Sequence, residues 1–285
     1  MPDGLVVVDK DAGWTSHDVV AKLRGILQTK KVGHSGTLDP DATGVLLVGV
    51  GKVTRLLRFL TALRKTYTGE VVFGTATSTL DASGDVTATY EMSVTLDEVR
   101  RAAADLTGDI LQVPPMVSAK QIGGQRLHDL ARKGVEVERD PVPVTVHRFD
   151  AAATSDPLVY GIEVECSTGT YIRSLAADLG TQLGGGAHLR NLRRTAIGSF
   201  SVDTAHTIDA ITDANVLPPA VALRDYPSVV ADRELLGSGK VLARGHLHVD
   251  GDGPWAVLDA DGNLLAVYES YRDDLVKPAV VLAAG

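Results

Sequence analysis

Residues 33–51, GHSGTLDPDATGVLLVGVG, constrain this chain more than any other stretch. Glycines at 33, 36 and 44 together with Pro40 require a sharp loop, and the apolar run Val45–Val50 that follows requires a buried strand. Asp39 stands at the centre of the loop, and its residue type allows four readings. Asp before Pro starts turns by bonding nearby backbone N–H groups. A metal site with His34 and Asp41 lacks further acidic neighbours to complete a ligand set. A phosphoryl-transfer aspartate would need a glycine-rich phosphate cradle, and GxxxxGK[ST] is absent. A nucleophile or base would need a partner that keeps the acid ionised and aimed. Arg173 is a candidate for that partner, placed after Thr170-Tyr171-Ile172 where a guanidinium can fork onto a carboxylate from a neighbouring loop. Tyr67, early in a strand of its own, offers a flat stacking face and a phenol.

The elements around the loop follow from pattern. Residues 4–8, GLVVV, read as a short buried strand. The stretch TSHDVVAKLRGIL reads as a helix capped by Thr15 or Ser16, with Val19, Val20, Leu23, Ile26 and Leu27 on one face. A basic helix is expected through Leu56, Leu57, Leu60 and Leu63, then a strand over 65–77. Thr95-Leu96-Asp97-Glu98 is a capping box, opening a helix that Gly108 should close. A short helix is expected at Leu127–Arg132 and a strand at Val142–Val146. In residues 158–167, Tyr160, Ile162, Val164 and Cys166 alternate onto one strand face, and GTYIRSLAADLGTQLGG turns into a helix ending near Gly184. Strands and helices intermix without regular βαβ spacing, so the expected class is α+β on a mixed, mostly antiparallel sheet flanked by helices. Three prolines in the ten residues Pro218–Pro227 mark a linker, and the short strand-like runs beyond it suggest a small β-barrel or sandwich.

The net charge of −8 argues at first against a nucleic-acid partner. It is unevenly distributed, however. Residues 206–285 carry six Lys/Arg against twelve Asp/Glu, which accounts for −6, whereas residues 22–65 carry nine Lys/Arg against two Asp. Positive charge is therefore concentrated around the loop. The single cysteine, Cys166, excludes an internal disulfide and fits a buried strand position in a reducing compartment. With no signal-like N-terminus and no apolar run near ~20 residues, a cytoplasmic location off the membrane is expected.

Six ordered blocks carry a family resemblance that spans essentially the whole chain. They are VVVDKDAGWTS, GHSGTLDPDATGVL, KTYTGEVVFGTATSTLDASGD, QVPPMVSAKQIGG, GTYIRSLAADLG and AHLRNLRRTAIGSF. Together they resemble the bacterial TruB tRNA pseudouridine synthases. Asp11 stands where that family usually carries proline, and Val117 and His128 where tyrosines are common. The resemblance implies a pseudouridine synthase fold over residues 1–225, with 118–148 as an RNA-contacting insertion, and a short PUA-like domain over 228–285. It implies catalytic roles for Asp39, Tyr67 and Arg173, and substrate contacts by His34, Lys65, Tyr171, Leu192 and Lys10. Lys22, Arg24, Lys30, Lys31, Arg55, Arg58 and Arg64 become candidates for phosphate contacts. The implied reaction isomerises the uridine at position 55 of the tRNA T loop, needs no cofactor or metal, and is carried out by a monomer without an obligatory protein partner. Two other functions remain open on the sequence: a non-catalytic tRNA-binding or folding protein, and a guide-RNA-dependent synthase of the dyskerin type.

Overall fold

A computed structural model describes residues 3–118, 121–122, 125–126, 135, 137–237 and 239–282. The helix expected at Leu127–Arg132 lies outside them, as do Gly123, Gly124 and His128. By internal contacts the chain divides into two units: Met1–Pro40 with Gly44–Ala62 and Ile197–Gly285, and Asp41–Thr43 with Leu63–Ala196.

In the first unit, β1 (Gly4–Lys10) pairs antiparallel with β3 (Thr43–Val50). The other edge of β3 takes β2 (Val32–His34). Helix α1 (Ser16–Ile26) covers one face of these strands, with Val19, Val20, Leu23 and Leu27 packed on Val6, Val8, Leu46, Val48 and Val50. Its start is the expected one. Thr15 is the N-cap, and its hydroxyl accepts from Asp18 N while the Asp18 carboxylate accepts from Thr15 N. The opposite face of β3 is covered by the turn that follows it. A Cβ on Gly49 would lie 3.1 Å from both Leu57 Cδ2 and Val53 O, a tight fit that glycine relieves. The expected basic helix follows, its approach wound as a 3-10 turn. Residues Gly51–Leu56 wind as a 3-10 turn, α2 runs only Leu57–Ala62, and Leu63 lies beyond it.

The second unit holds a sheet in which β4 (Lys65–Phe73) and β11 (Val159–Cys166) pair antiparallel, from Val72↔Val159 to Lys65↔Cys166. The expected strand over 65–77 is interrupted at Gly74, whose φ of +86° suits glycine; β5 is Thr75–Thr77, paired with β6 (Val86–Thr89). Helix α3 (Leu96–Asp105) has the predicted capping box of Thr95 and Glu98. It ends three residues before Gly108, which instead opens β7 (Gly108–Gln112) at φ +100°. The two-residue strands β8 (Gln121–Ile122) and β9 (Gln125–Arg126) pair with each other. Strand β10 (Val142–Ala153) joins β11 to β7, so residues 142–148 belong to the sheet. Tyr160, Ile162, Val164 and Cys166 are all buried, as their alternation requires. Helix α4 (Ile172–Gln182) follows β11, and β12 (Ala187–Ile197) lies on the other side of β4.

Back in the first unit, β13 (Phe200–Ser201) leads to β14 (His206–Thr207), which pairs parallel with β1 and makes the sheet mixed. Beyond Pro227 a single five-stranded sheet forms from β15 (Ser228–Val230), β16 (Leu242–Ala243), β17 (Trp255–Leu258), β18 (Leu264–Ser270) and β19 (Leu275–Val281). Trp255, Val257, Leu265, Tyr268 and Val276 form its core.

Candidate active site

The loop around Asp39 is held from both sides by the segment that joins β1 to α1. Lys10, 0% exposed at the end of β1, donates from Nζ to Asp11 O (2.9 Å), Trp14 O (2.7 Å) and Pro40 O (3.0 Å). Gly13 N also donates to Pro40 O, at 3.0 Å. On the other side of Asp39, Leu38 N donates to Ser16 Oγ at 2.9 Å, and the same hydroxyl donates to Leu38 O at 3.3 Å. Gly36, at φ +123°, makes the bend that a side chain would strain. Asp39 itself is half-buried.

Lys10 was expected to contact substrate. In this structure its buried ammonium donates to three main-chain carbonyls, among them that of Pro40 in the loop. Lys10→Met keeps the aliphatic stem and leaves those three carbonyls without this donor. A stability loss of about 3 kcal/mol is expected, at roughly 1 kcal/mol per bond, read as a lower urea midpoint. His34 ends β2 and stands edge-on to the His17 ring, with centroids 5.3 Å apart.

The second unit holds Tyr67, Arg173, Lys65, Tyr171 and Leu192. Arg173, in the first turn of α4, is 4% exposed. Its Nη1 donates to Thr79 O and its Nη2 to Val117 O, both at 2.9 Å, and Nε lies 3.5 Å from Asp81 Oδ2. Asp81 is in turn oriented by donors to Oδ1: Thr79 Oγ1 (2.5 Å), Ser83 Oγ (2.6 Å) and Ser83 N (3.1 Å). Ala82 N to Leu189 O and Leu189 N to Leu80 O fasten this turn to β12. The start of α4 is set by Gln112, which accepts from Tyr171 N (2.7 Å) and donates to Tyr171 O (3.1 Å). The sequence gives no site role to Asp81 or Gln112, and offers Ser16 only as a helix cap, a place that Thr15 takes. The signal for Asp81 was present in the turn composition STLDASG, a carboxylate flanked by hydroxyls directly after a strand.

Tyr67, 8% exposed, pairs across with Val164, two residues along the same face of β4 from Lys65. Leu192 and Tyr171 are half-buried. Lys65 is 5% exposed; its Nζ donates to Leu63 O at 2.8 Å. Burial, with the Arg194 charge adding to it, lowers the Lys65 pKa to about 8, while burial pushes the Cys166 thiol up to about 11. These two shifts predict opposite pH effects on stability. An unfolded lysine holds its proton to about 10.5, so between pH 8 and 10.5 the unfolded chain binds more protons and stability rises with pH. The thiol, ordinarily near 9, stays protonated in the fold to about 11, so its contribution falls across that window. The net rise is confined to pH 8–9, where Lys65 acts alone. Urea unfolding should show a gain of about 1 kcal/mol there, and Lys65→Met should abolish it.

Several cations expected to meet phosphate are otherwise engaged. Arg55 Nη1 donates to Val281 O (2.7 Å), Lys52 Nζ to Leu282 O (3.3 Å), and Arg58 pairs with Glu269 (3.4 Å), tying the stretch after β3 to the end of the C-terminal sheet. Arg64 pairs with Glu165 and Lys22 with Asp209. Arg24 donates to Val32 O, while Lys30 and Lys31 are exposed just before β2. Among the described residues, no group of three His, Cys, Asp or Glu side chains could hold a metal ion, and no helix is long and apolar enough to cross a membrane.

The chemistry present is therefore an aspartate on a doubly held loop, a deeply buried guanidinium at a helix start and a strand tyrosine. The family described as "TruB family pseudouridylate synthase (N terminal domain)" matches residues 24–172, and "tRNA pseudouridylate synthase B C-terminal domain" matches 173–225. The chain belongs to the TruB family of pseudouridylate synthases. Proteins named tRNA pseudouridine synthase B agree with it along nearly their whole length. The one from Streptomyces coelicolor is 45% identical, covering 95% of this chain and 94% of that one. The one from Nocardia farcinica is 47% identical over 93% and 89%, and the one from an Arthrobacter species 41% identical over 99% and 97%. Among solved structures, a chain of an H/ACA ribonucleoprotein bound to a substrate RNA containing 2′-deoxyuridine superposes with a TM-score of 0.74. It is 23% identical, covering 99% of this chain and 85% of that one. A chain of a Cbf5–Nop10–Gar1 complex has the same TM-score at 25% identity, covering 99% and 84%. The α+β fold of this TruB-family chain is thus the pseudouridine synthase fold, with a small β-rich, PUA-like C-terminal domain. TruB-family enzymes isomerise uridine.

Proposed function

We propose that the chain converts the uridine at position 55 in the T loop of tRNA to pseudouridine, acting as a cytoplasmic monomer without a guide RNA or protein partner. The observation that carries this reading is the 41–47% identity, over 93–99% of the chain, to proteins named tRNA pseudouridine synthase B. The likeness to H/ACA-complex chains is at 23–25% identity and speaks for shared fold rather than for a shared need of a guide. In this reading residues 1–225 are the catalytic part, with RNA contacts from 118–148, and 228–285 are an accessory domain.

A base inside a folded T loop must be flipped out, at a cost of a few kcal/mol. Phosphate contacts, for which Lys30 and Lys31 are the exposed candidates, and base stacking of about 1–3 kcal/mol per base offset that cost. His34 occupies the space the base leaves. The reaction then breaks the N1–C1′ bond, turns the uracil, forms C5–C1′, and moves a proton from C5 to N1, so no external group or redox step is required. Asp39 starts it by attacking C1′ or by removing a sugar proton, and either route needs an ionised carboxylate aimed at the sugar. Arg173 keeps Asp39 ionised and oriented. Tyr67 stacks on the detached uracil and assists loss of the C5 proton. Leu192 and Tyr171 wall the pocket so that the free base turns without escaping to water, and Lys65 supports Tyr67 from the same strand face.

The experiment is to incubate the purified chain with unmodified tRNA transcripts and map pseudouridine by carbodiimide adducts that stop primer extension. A stop assigned to position 55, absent when that uridine is replaced by cytidine, supports the reading. Modification elsewhere, or none while RNA binds, contradicts it.

A further inference from the structure

We propose that Ser16 is a positioning residue for the reaction, its hydroxyl fixing the backbone that carries Asp39. The inference rests on the reading of Asp39 as the reacting group. Ser16 is 1% exposed and is the first residue of α1, where the helix makes no demand on its side chain. Capping belongs to the residue before it, because Thr15 accepts from Asp18 N and the Asp18 carboxylate accepts from Thr15 N. The Ser16 hydroxyl is spent on the loop instead. It accepts from Leu38 N at 2.9 Å and donates to Leu38 O at 3.3 Å, thereby engaging both main-chain polar groups of one residue.

Those two groups belong to different peptide planes. Leu38 N lies in the plane before Leu38, and Leu38 O lies in the plane that also contains Asp39 N. One hydroxyl therefore fixes the orientation of the backbone immediately before the carboxylate. Lys10 Nζ and Gly13 N fix the carbonyl after it, on Pro40. Leu38 is itself 3% exposed, so water does not readily replace the serine at that site. Without Ser16 the Pro40 side of the loop stays anchored and the chain folds, but rotation about the Leu38–Asp39 peptide is released. A displacement of about 1 Å in a reacting group costs on the order of a hundredfold in rate.

The test compares Ser16→Ala with Thr15→Ala and Asp39→Asn, measuring kcat, KM for a T stem-loop RNA, and melting temperature. Ser16→Ala should lower kcat by about 10- to 100-fold and leave KM within about threefold, because it misaims the carboxylate without touching RNA contacts. Thr15→Ala removes the cap of the same helix and should lower the melting temperature at least as much, while kcat stays within about twofold. An unchanged kcat in Ser16→Ala, or equal kcat losses in the serine and threonine variants that track their melting temperatures, would overturn the proposal. Asp39→Asn separates the two ideas. Activity surviving in it removes the Asp39 reading itself, whereas an inactive asparagine variant beside a fully active Ser16→Ala removes only the role of Ser16.

Discussion

Asp39→Asn is expected to abolish isomerisation while leaving RNA affinity within several-fold. Asparagine has nearly the shape of aspartate, and the main chain on either side is held by Ser16, Lys10 and Gly13. The substitution therefore removes the negative charge assigned to the reaction without removing the loop. A fall in kcat of at least about 1,000-fold is expected, equivalent to roughly 4 kcal/mol of transition-state stabilisation. Affinity survives because phosphate contacts and stacking supply it, and neither uses this carboxylate. Single-turnover rates together with filter binding on the same preparation check both halves. Retention of more than about 1% of activity would mean that another group performs the step.

Arg173→Lys fails to preserve either stability or activity. The guanidinium reaches two carbonyl oxygens and the Asp81 carboxylate from one planar head, and a lysine offers a single nitrogen on a differently shaped stem. Losing two charge-assisted bonds at a 4% exposed position should cost about 2–3 kcal/mol in urea unfolding. Arg173→Ala, which also strips Asp81 of its cation, should cost about 3–5 kcal/mol. Because Arg173 is assigned to orient Asp39, the lysine variant should lose at least about 100-fold in kcat as well. A lysine variant with wild-type melting behaviour and rate would refute the assignment of the guanidinium geometry as the essential feature.

What could be read from the sequence depended on how local the deciding force was. The Thr15 and Thr95 caps, the alternation of Tyr160 to Cys166 and the buried run of β3 are each set by residues within a few positions, and each was legible. Gly108 misled because a glycine after a helix suits both a helix stop and the positive φ that opens β7. The helix after β3 was legible, but not the 3-10 winding over Gly51–Leu56 that leads into it, nor the close approach of Leu57 and Val53 to Gly49, which no periodicity records. The C-terminal runs were legible as a small β-rich domain, and the structure joins them in one five-stranded sheet whose strand order no local pattern specifies. Around Asp39, the glycines and Pro40 made the sharp loop legible, as Gly36 at φ +123° shows. The burial of Lys10 did not announce itself, since a lysine is ordinarily a surface residue and its three acceptors are main-chain atoms. The contact of Arg173 with Asp81 joins positions far apart in sequence, and no pattern within either segment points to the other.

The most direct measurement of the central claim is tritium release from a T stem-loop RNA labelled at C5 of its uridines, incubated with the purified chain alone. Moving the glycosidic bond to C5 expels that hydrogen, so release must equal one tritium per target uridine and require nothing besides protein and RNA. Stoichiometric release by the wild-type chain, with none from Asp39→Asn, is the predicted result. Tight binding without release, or release only after a guide RNA is added, would contradict the account.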